Sequence, residues 1–267
     1  MRQSRLAATL PLLLLLAATA AQAEPGQGKR RRPLPPEYGR VVLEPGPEKG
    51  HMAPVAFDHW LHRATFTCRL CHVDLGFAQK AGATGVSAAD NEAGYYCGAC
   101  HDGKRAFQGK TLFAACGKTS ARESCLRCHS VGLKVKQEVE FAAFTRDLPR
   151  GRFGNGIDWE KAEADGLIHP IDFLEGVSIK RQSFTAQKDF ALNPKLDGMP
   201  DIIFSHRKHT VWSGCEGCHP DIFVGVKKGL TKYGMPEIFD GKFCGVCHTT
   251  VAFPTTDCQR CHAKAVQ

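Results

Sequence analysis

The stretch Phe204-Ser-His206-Arg-Lys-His209, followed by Cys215-Glu-Gly-Cys218-His219, decides how the rest of the chain is read. Two histidines three residues apart precede a C-x-x-C-H. The same phrase occurs earlier, as Phe57-Asp-His59-Trp-Leu-His62 and then Cys68-Arg-Leu-Cys71-His72. In both copies the first histidine lies nine residues before the first cysteine and the second lies six before it.

C-x-x-C-H occurs six times: Cys68/Cys71/His72, Cys97/Cys100/His101, Cys125/Cys128/His129, Cys215/Cys218/His219, Cys244/Cys247/His248 and Cys258/Cys261/His262. These use 12 of the 13 cysteines and leave only Cys116 outside. Random placement of this composition would give about 0.03 such matches. The pentapeptide is the attachment signature of c-type haem: two thiols add to the vinyl groups, and the adjacent histidine reaches the iron. Zinc closes its sites with four ligands and does not need a histidine after every second cysteine. The motif set therefore implies six covalent haem c groups.

Working outward, residues 1–23 read as a secretory signal. Arg2 and Arg5 form the charged region, Leu10 to Ala17 the apolar core, and Ala21-Gln-Ala23 the cleavage site. The apolar run is too short to cross a membrane, and no later stretch is long and apolar enough. The expected location is periplasmic or otherwise exported. The formal charge of +8 carries little meaning here, because six haems would bring twelve propionates and leave the oxidised holoprotein close to neutral. Nucleic-acid binding is not supported. Residues 24–50, with ten prolines and glycines among 24–47 and the run Lys29-Arg-Arg-Arg32, read as a flexible segment, with ordered structure beginning near Met52.

The chain then repeats. The first and second motifs are 29 residues apart in both halves, Cys68 to Cys97 and Cys215 to Cys244. The third follows after 28 residues in one half and 14 in the other. Repetition of this kind argues duplication of a three-haem unit. The expected organisation is a first module over 51–130, a connector over 131–199 and a second module over 200–267. Within the connector, Lys134 to Phe144 reads as a strand or short helix, Gly151 to Gly156 as a loop, and Asp158 to Gly166 as a helix with a glycine stop.

Each half resembles the triheme class III c-type cytochromes, the cytochrome c-seven group, over about residues 52–130 and 200–262. The resemblance rests on F-x-H-x-x-H followed by three C-x-x-C-H motifs. It implies a multihaem fold, mostly irregular, with short helices and a few short strands wrapped around closely spaced haems. It also implies that His59 and His62, and likewise His206 and His209, ligate two different irons. The helical spacing agrees, since residues three apart share one face. Phe57 and Phe204 are expected to pack on porphyrin.

One departure is plain. The family places a third distal histidine just before its second haem motif, where this chain has Gly94-Tyr95-Tyr96 and Asp240-Gly241-Lys242-Phe243. The distal ligand of one haem in each module is left open among His51, His169, Met52, Met199, Met235, Cys116 and a vacant position. Haem iron with two histidine ligands offers no place for substrate, so electron transfer is the expected function, without enzyme activity. The resemblance implies redox partners such as a membrane quinol oxidoreductase, a terminal reductase or an outer-membrane conduit. The competing reading is a multihaem reductase that uses a haem lacking a sixth protein ligand.

Overall fold

The computed structural model describes residues 32–44, 51–107, 109–117, 122–181, 188–192, 198–225 and 229–264. The leader read over 1–23, and Lys29 to Arg31 of the basic run, lie outside them. Residues 33–267 cluster as one compact unit.

The repeated phrase folds in the same way in both halves. In the first, β1 (Arg40–Leu43) pairs antiparallel with β2 (Val55–Asp58), which runs directly into helix α1 (His59–Arg63). Short helices α2 (Ala88–Glu92), α3 (Arg122–Leu126), α4 (Phe141–Phe144) and α5 (Trp159–Ala164) follow, with the small hairpin β3 (Ala106–Phe107) and β4 (Lys110–Thr111) between α2 and α3. In the second half, β5 (Phe190–Leu192) pairs with β6 (Asp201–Phe204), which runs into α6 (His206–Ser213). Helices α7 (Met235–Phe239), α8 (Gly245–His248) and α9 (Cys258–Cys261) and strand β7 (His262–Lys264) complete the chain. Ser205 caps α6 by accepting from the Lys208 amide, and Gly214, at φ 65°, ends it.

The third motif of each half is sewn to the strand that precedes the H-x-x-H helix. Val55 bridges to His129, and the Ala56 amide donates to the Cys128 carbonyl at 2.9 Å. In the second half β7 pairs with β6, Ile202 opposite His262. Contiguous motifs thereby become a closed module.

Two expectations are adjusted. Ordered structure begins well before Met52: β1 lies in the segment read as flexible, because Val41, Val42 and Leu43 find a partner strand in β2 that the surrounding prolines and glycines conceal. The connector also contributes β5 to the sheet of the second half. Its helix forms where expected, as α5, with Asp158 capping by accepting from the Lys161 amide at 3.1 Å.

The apolar core is small and off-centre. Trp60 and Ala64 of the first half pack with Ile157, Trp159, Ala162 and Ile168 of the connector; Leu61, Phe141, Leu148 and Trp212 close around them. Among the described residues no helix is long and apolar enough to cross a membrane.

Candidate haem-binding site

In four of the C-x-x-C-H motifs the chain closes a tight turn on itself. The histidine amide donates back to the carbonyl of the first cysteine at 2.8 Å in His101, 2.9 Å in His129 and His219, and 3.0 Å in His248. That turn brings both sulfurs and the imidazole to one side of the backbone. In the second motif of each half the residue after the first cysteine is glycine, Gly98 or Gly245. A Cβ there would collide with the carbonyl of Asn91 or Ile238 in the preceding short helix. The residue before that motif, Tyr96 or Phe243, takes a left-handed conformation at φ 48° or 53°, rare for aromatic side chains. These matched features were missed in the sequence, although the recurring glycine was a usable signal.

Seven histidines share one arrangement, while Nδ1 of His62 and of His101 is buried without a hydrogen-bond partner. Nδ1 faces a backbone carbonyl: His59 that of Gly39, His72 that of Phe77, His129 that of Ala53, His209 that of Ser205, His219 that of Phe223, His248 that of Phe253 and His262 that of Pro200. The Nδ1–H donates, which fixes the tautomer and leaves Nε2 as a free lone pair, as in metal-ligating histidines generally. His206 makes a longer contact, 3.4 Å, to Lys188 O. The carbonyls that hold His129 and His262 belong to the residues after Met52 and Met199. The backbone of those methionines therefore lies on the Nδ1 side of the ring, away from a metal on Nε2.

Three imidazole pairs face each other. Ring centres are 6.4 Å apart for His59 and His72, 6.4 Å for His62 and His101, and 6.1 Å for His209 and His248. An imidazole nitrogen bonds a transition metal at about 2.0–2.1 Å. Adding the ring radius on each side puts two axial imidazoles on one metal about 6 Å apart, centre to centre. The paired histidines of each H-x-x-H turn thus reach different motifs in the first half. No second imidazole is in ring contact with His129, His206, His219 or His262 among the described residues. Phe57 stacks near His62 at 4.5 Å and Phe204 near His209 at 4.4 Å, so these phenylalanines pack on the ligand rings themselves.

Electrostatics agrees with ligation. Burial pushes His62 and His248 down to about 4, with a further push on His62 from His101 and His59. Burial lowers His59, His72, His101 and His209 as well. Neutral imidazoles are the form a metal needs. Burial raises Cys71 and Cys247 to about 12, and Cys97, Cys128 and Cys244 to about 11. These are protonated thiols, poorly suited to thiolate chemistry.

Residues of all six motifs line one continuous cleft of about 3240 Å³. Ordinary small-molecule pockets span about 300–1,000 Å³, and close-packed interiors leave few voids larger than a water molecule. A cleft of this size, lined by paired thiols and neutral imidazoles, fits several flat apolar groups. His169, Met199 and Met235 also line it; His51 is exposed and Met52 half-buried. Cys116 has its sulfur 3.7 Å from Asn91 Nδ2 and lies within electrostatic reach of Cys97 and Cys128.

Fold and site together define a c-type cytochrome with more than one haem. The model of the family described as "Cytochrome c7 and related cytochrome c" matches residues 55–130 and 202–263, more than half of the chain, and the chain belongs to that family. Haem c is its cofactor, and its function class is electron transfer. Among solved structures the chain is similar to a c7-type three-haem cytochrome domain, at 35% identity over 29% of this chain and 95% of that one, with a TM-score of 0.26. It is also similar to the C-terminal hexahaem fragment of GSU1996, at 23% identity over 84% and 96%, TM-score 0.25. The dodecahaem cytochrome c GSU1996 matches at 22% over 84% and 73%, TM-score 0.26. No curated protein matches the chain.

Proposed function

We propose that the chain is an exported cytochrome that carries electrons between redox partners through six covalently bound haems. The observation that carries this reading is the set of facing imidazoles at 6.1–6.4 Å, each with its outer nitrogen engaged or buried. Bound haem supplies a one-electron couple. The chain's own residues do the rest. The cysteine pairs of the six motifs hold the porphyrin edges, and His72, His101, His129, His219, His248 and His262 serve as proximal ligands. His59, His62, His206 and His209 serve as distal ligands. At the four haems that these distal histidines would serve, two imidazoles would leave no position open to substrate, which suits transfer between proteins. The partners are redox proteins: a membrane quinol oxidoreductase as donor, and a terminal reductase or outer-membrane conduit as acceptor.

A second reading, reduction of a small substrate at a five-coordinate haem, is favoured by one observation. Neither His129 nor His262 has a second imidazole in ring contact among the described residues. One experiment separates the two. The exported protein should exceed its mature polypeptide mass by six haems and give a purely low-spin spectrum. A mass short of six haems sinks the first reading; high-spin haem that binds carbon monoxide when reduced moves the case to the second.

A further inference from the structure

Arg63 is the last residue of α1 and has no part in the motifs. Its guanidinium lies over the rings of Trp159, from the connector, and Trp212, from α6, at 5.2 and 5.4 Å from their centres. Its Nη1 donates to the carbonyl of Val251 at 2.8 Å, three residues beyond the fifth motif. One half-buried side chain thus joins the first half, the connector and the second half. Cations nearby behave differently: Arg69 is paired with Asp172, Arg181 with Asp74 and Arg260 with Asp158. Arg63 has no carboxylate within ion-pair range among the described residues. Two indole faces solvate a cation without neutralising it, and a guanidinium stays charged in any protein setting.

An enclosed positive charge favours whichever state of a neighbouring redox centre carries the extra electron. The groups within electrostatic reach of Arg63 include His59 and Cys68 on one side and Cys247 and His248 on the other. Cys68, and His72 which His59 faces, belong to the first haem motif, and Cys247 and His248 to the fifth, one from each half. We propose that Arg63, a cation that no side-chain carboxylate pairs among the described residues, raises the potential of these two junction haems, so that electrons entering either half collect between the modules before leaving. The proposal rests on the haem reading above.

The test is a redox titration of the full-length, haem-loaded protein, followed in the visible spectrum. Arg63→Met fits the space between the indoles and leaves no donor unpaired. It should keep the haem count by mass and move the high-potential end of the titration, about a third of the amplitude, to lower potential. Arg63→Lys keeps the charge and should titrate like the parent. Arg146→Gln, which removes an exposed charge, should do the same. If Arg63→Met superimposes on the parent, or Arg63→Lys shifts as far as Arg63→Met, the proposal is overturned. Should Arg63→Met not load haem, Arg63→Gln carries the comparison. Failure of both neutral variants, with full loading by Arg63→Lys, assigns the charge to assembly and also overturns it. A failure of the haem reading itself appears earlier, as a parent mass short of six haems.

Discussion

Helices α1 and α6 carry the same ligand pair and turn it to different surroundings. Between the histidines the first half has Trp60 and Leu61, the second Arg207 and Lys208. Trp60 is only 5% exposed and meets Phe141 edge-on and Phe144 at a tilt, 5.1 and 5.6 Å between ring centres. Arg207 and Lys208 are exposed, and Lys208 is ion-paired with Glu160 of the connector. The connector therefore covers α1 with an apolar face and meets α6 with charge. Both halves keep the histidine pair. The two residues between them decide which half gains a conventional core.

The largest expected effect follows from that asymmetry. A fragment of residues 33–130, exported with haem-attachment machinery, should fail to mature, while 33–181 should load three haems. Burying each large apolar side chain of the shared core contributes about 1.5–3 kcal/mol, and the shorter fragment loses Ile157, Trp159 and Ile168 at once. The second half should mature alone as residues 188–267, which retain β5 and the contact of Phe190 with Phe204 at 5.4 Å. Mass of the secreted product reads the result. Equal haem loading by the two N-terminal fragments would remove the connector from the first module.

Ligand substitutions test the other side of the comparison. His62→Ala and His209→Ala should each open one haem, giving a high-spin signature and carbon monoxide binding in the reduced state, with covalent attachment intact. His59→Ala should behave in the same way. His206→Ala is the sharpest, because no imidazole is in ring contact with His206 among the described residues. Conversion of one haem makes the halves equivalent in ligation; a spectrum that stays low-spin makes them differ at this position.

Packing variants come next. Trp60→Ala should destabilise the holoprotein by about 3–5 kcal/mol, whereas the repeat-equivalent Arg207→Ala should change it by less than about 0.5 kcal/mol. Thermal unfolding followed in the Soret band compares them, and similar shifts would mean that α1 is not covered as described.

Much of the site was readable from sequence because covalent attachment demands contiguous residues: two thiols and a proximal imidazole within five positions leave a pattern that chance does not supply. The shared helix face of each H-x-x-H pair was readable because helical spacing is local. What was hidden is non-local or carried by the backbone. Strand β1 needs β2 to exist, and nothing in Arg40–Leu43 names its partner. The carbonyls of Gly39, Phe77 and Pro200 that orient His59, His72 and His262 belong to the main chain, so residue type does not mark them. The pairing of His62 with His101 joins positions 39 apart, and only the folded chain brings them together.

The smallest expected effects concern the arginine inside the third motif of each half. Arg127 and Arg260 both lie over a phenylalanine, Phe113 at 4.7 Å and Phe253 at 5.1 Å, and both reach an acidic connector residue. Arg260 donates to Asp158 at 2.8 Å with both side chains mostly covered, while Arg127 meets Glu138 with the pair largely exposed. Burial alone would raise the carboxyl of Asp158; the bonds from Arg260 and the Lys161 amide outweigh it and hold it below the ordinary range. A carboxyl lowered in the folded state contributes stability that is present above its unfolded pKa, near about 4, and is lost as pH falls through the folded value. Arg260→Met should therefore cost about 1 kcal/mol or less at neutral pH. The gap to the parent should narrow in high salt and close as acidification passes the lowered Asp158 value. Arg127→Met should cost less still, since the solvated pair gains little from its attraction. If the two variants lose equal stability, or the Arg260→Met gap persists in acid, the connector does not hold the second half through charge, and the contrast between α1 and α6 must rest on packing alone.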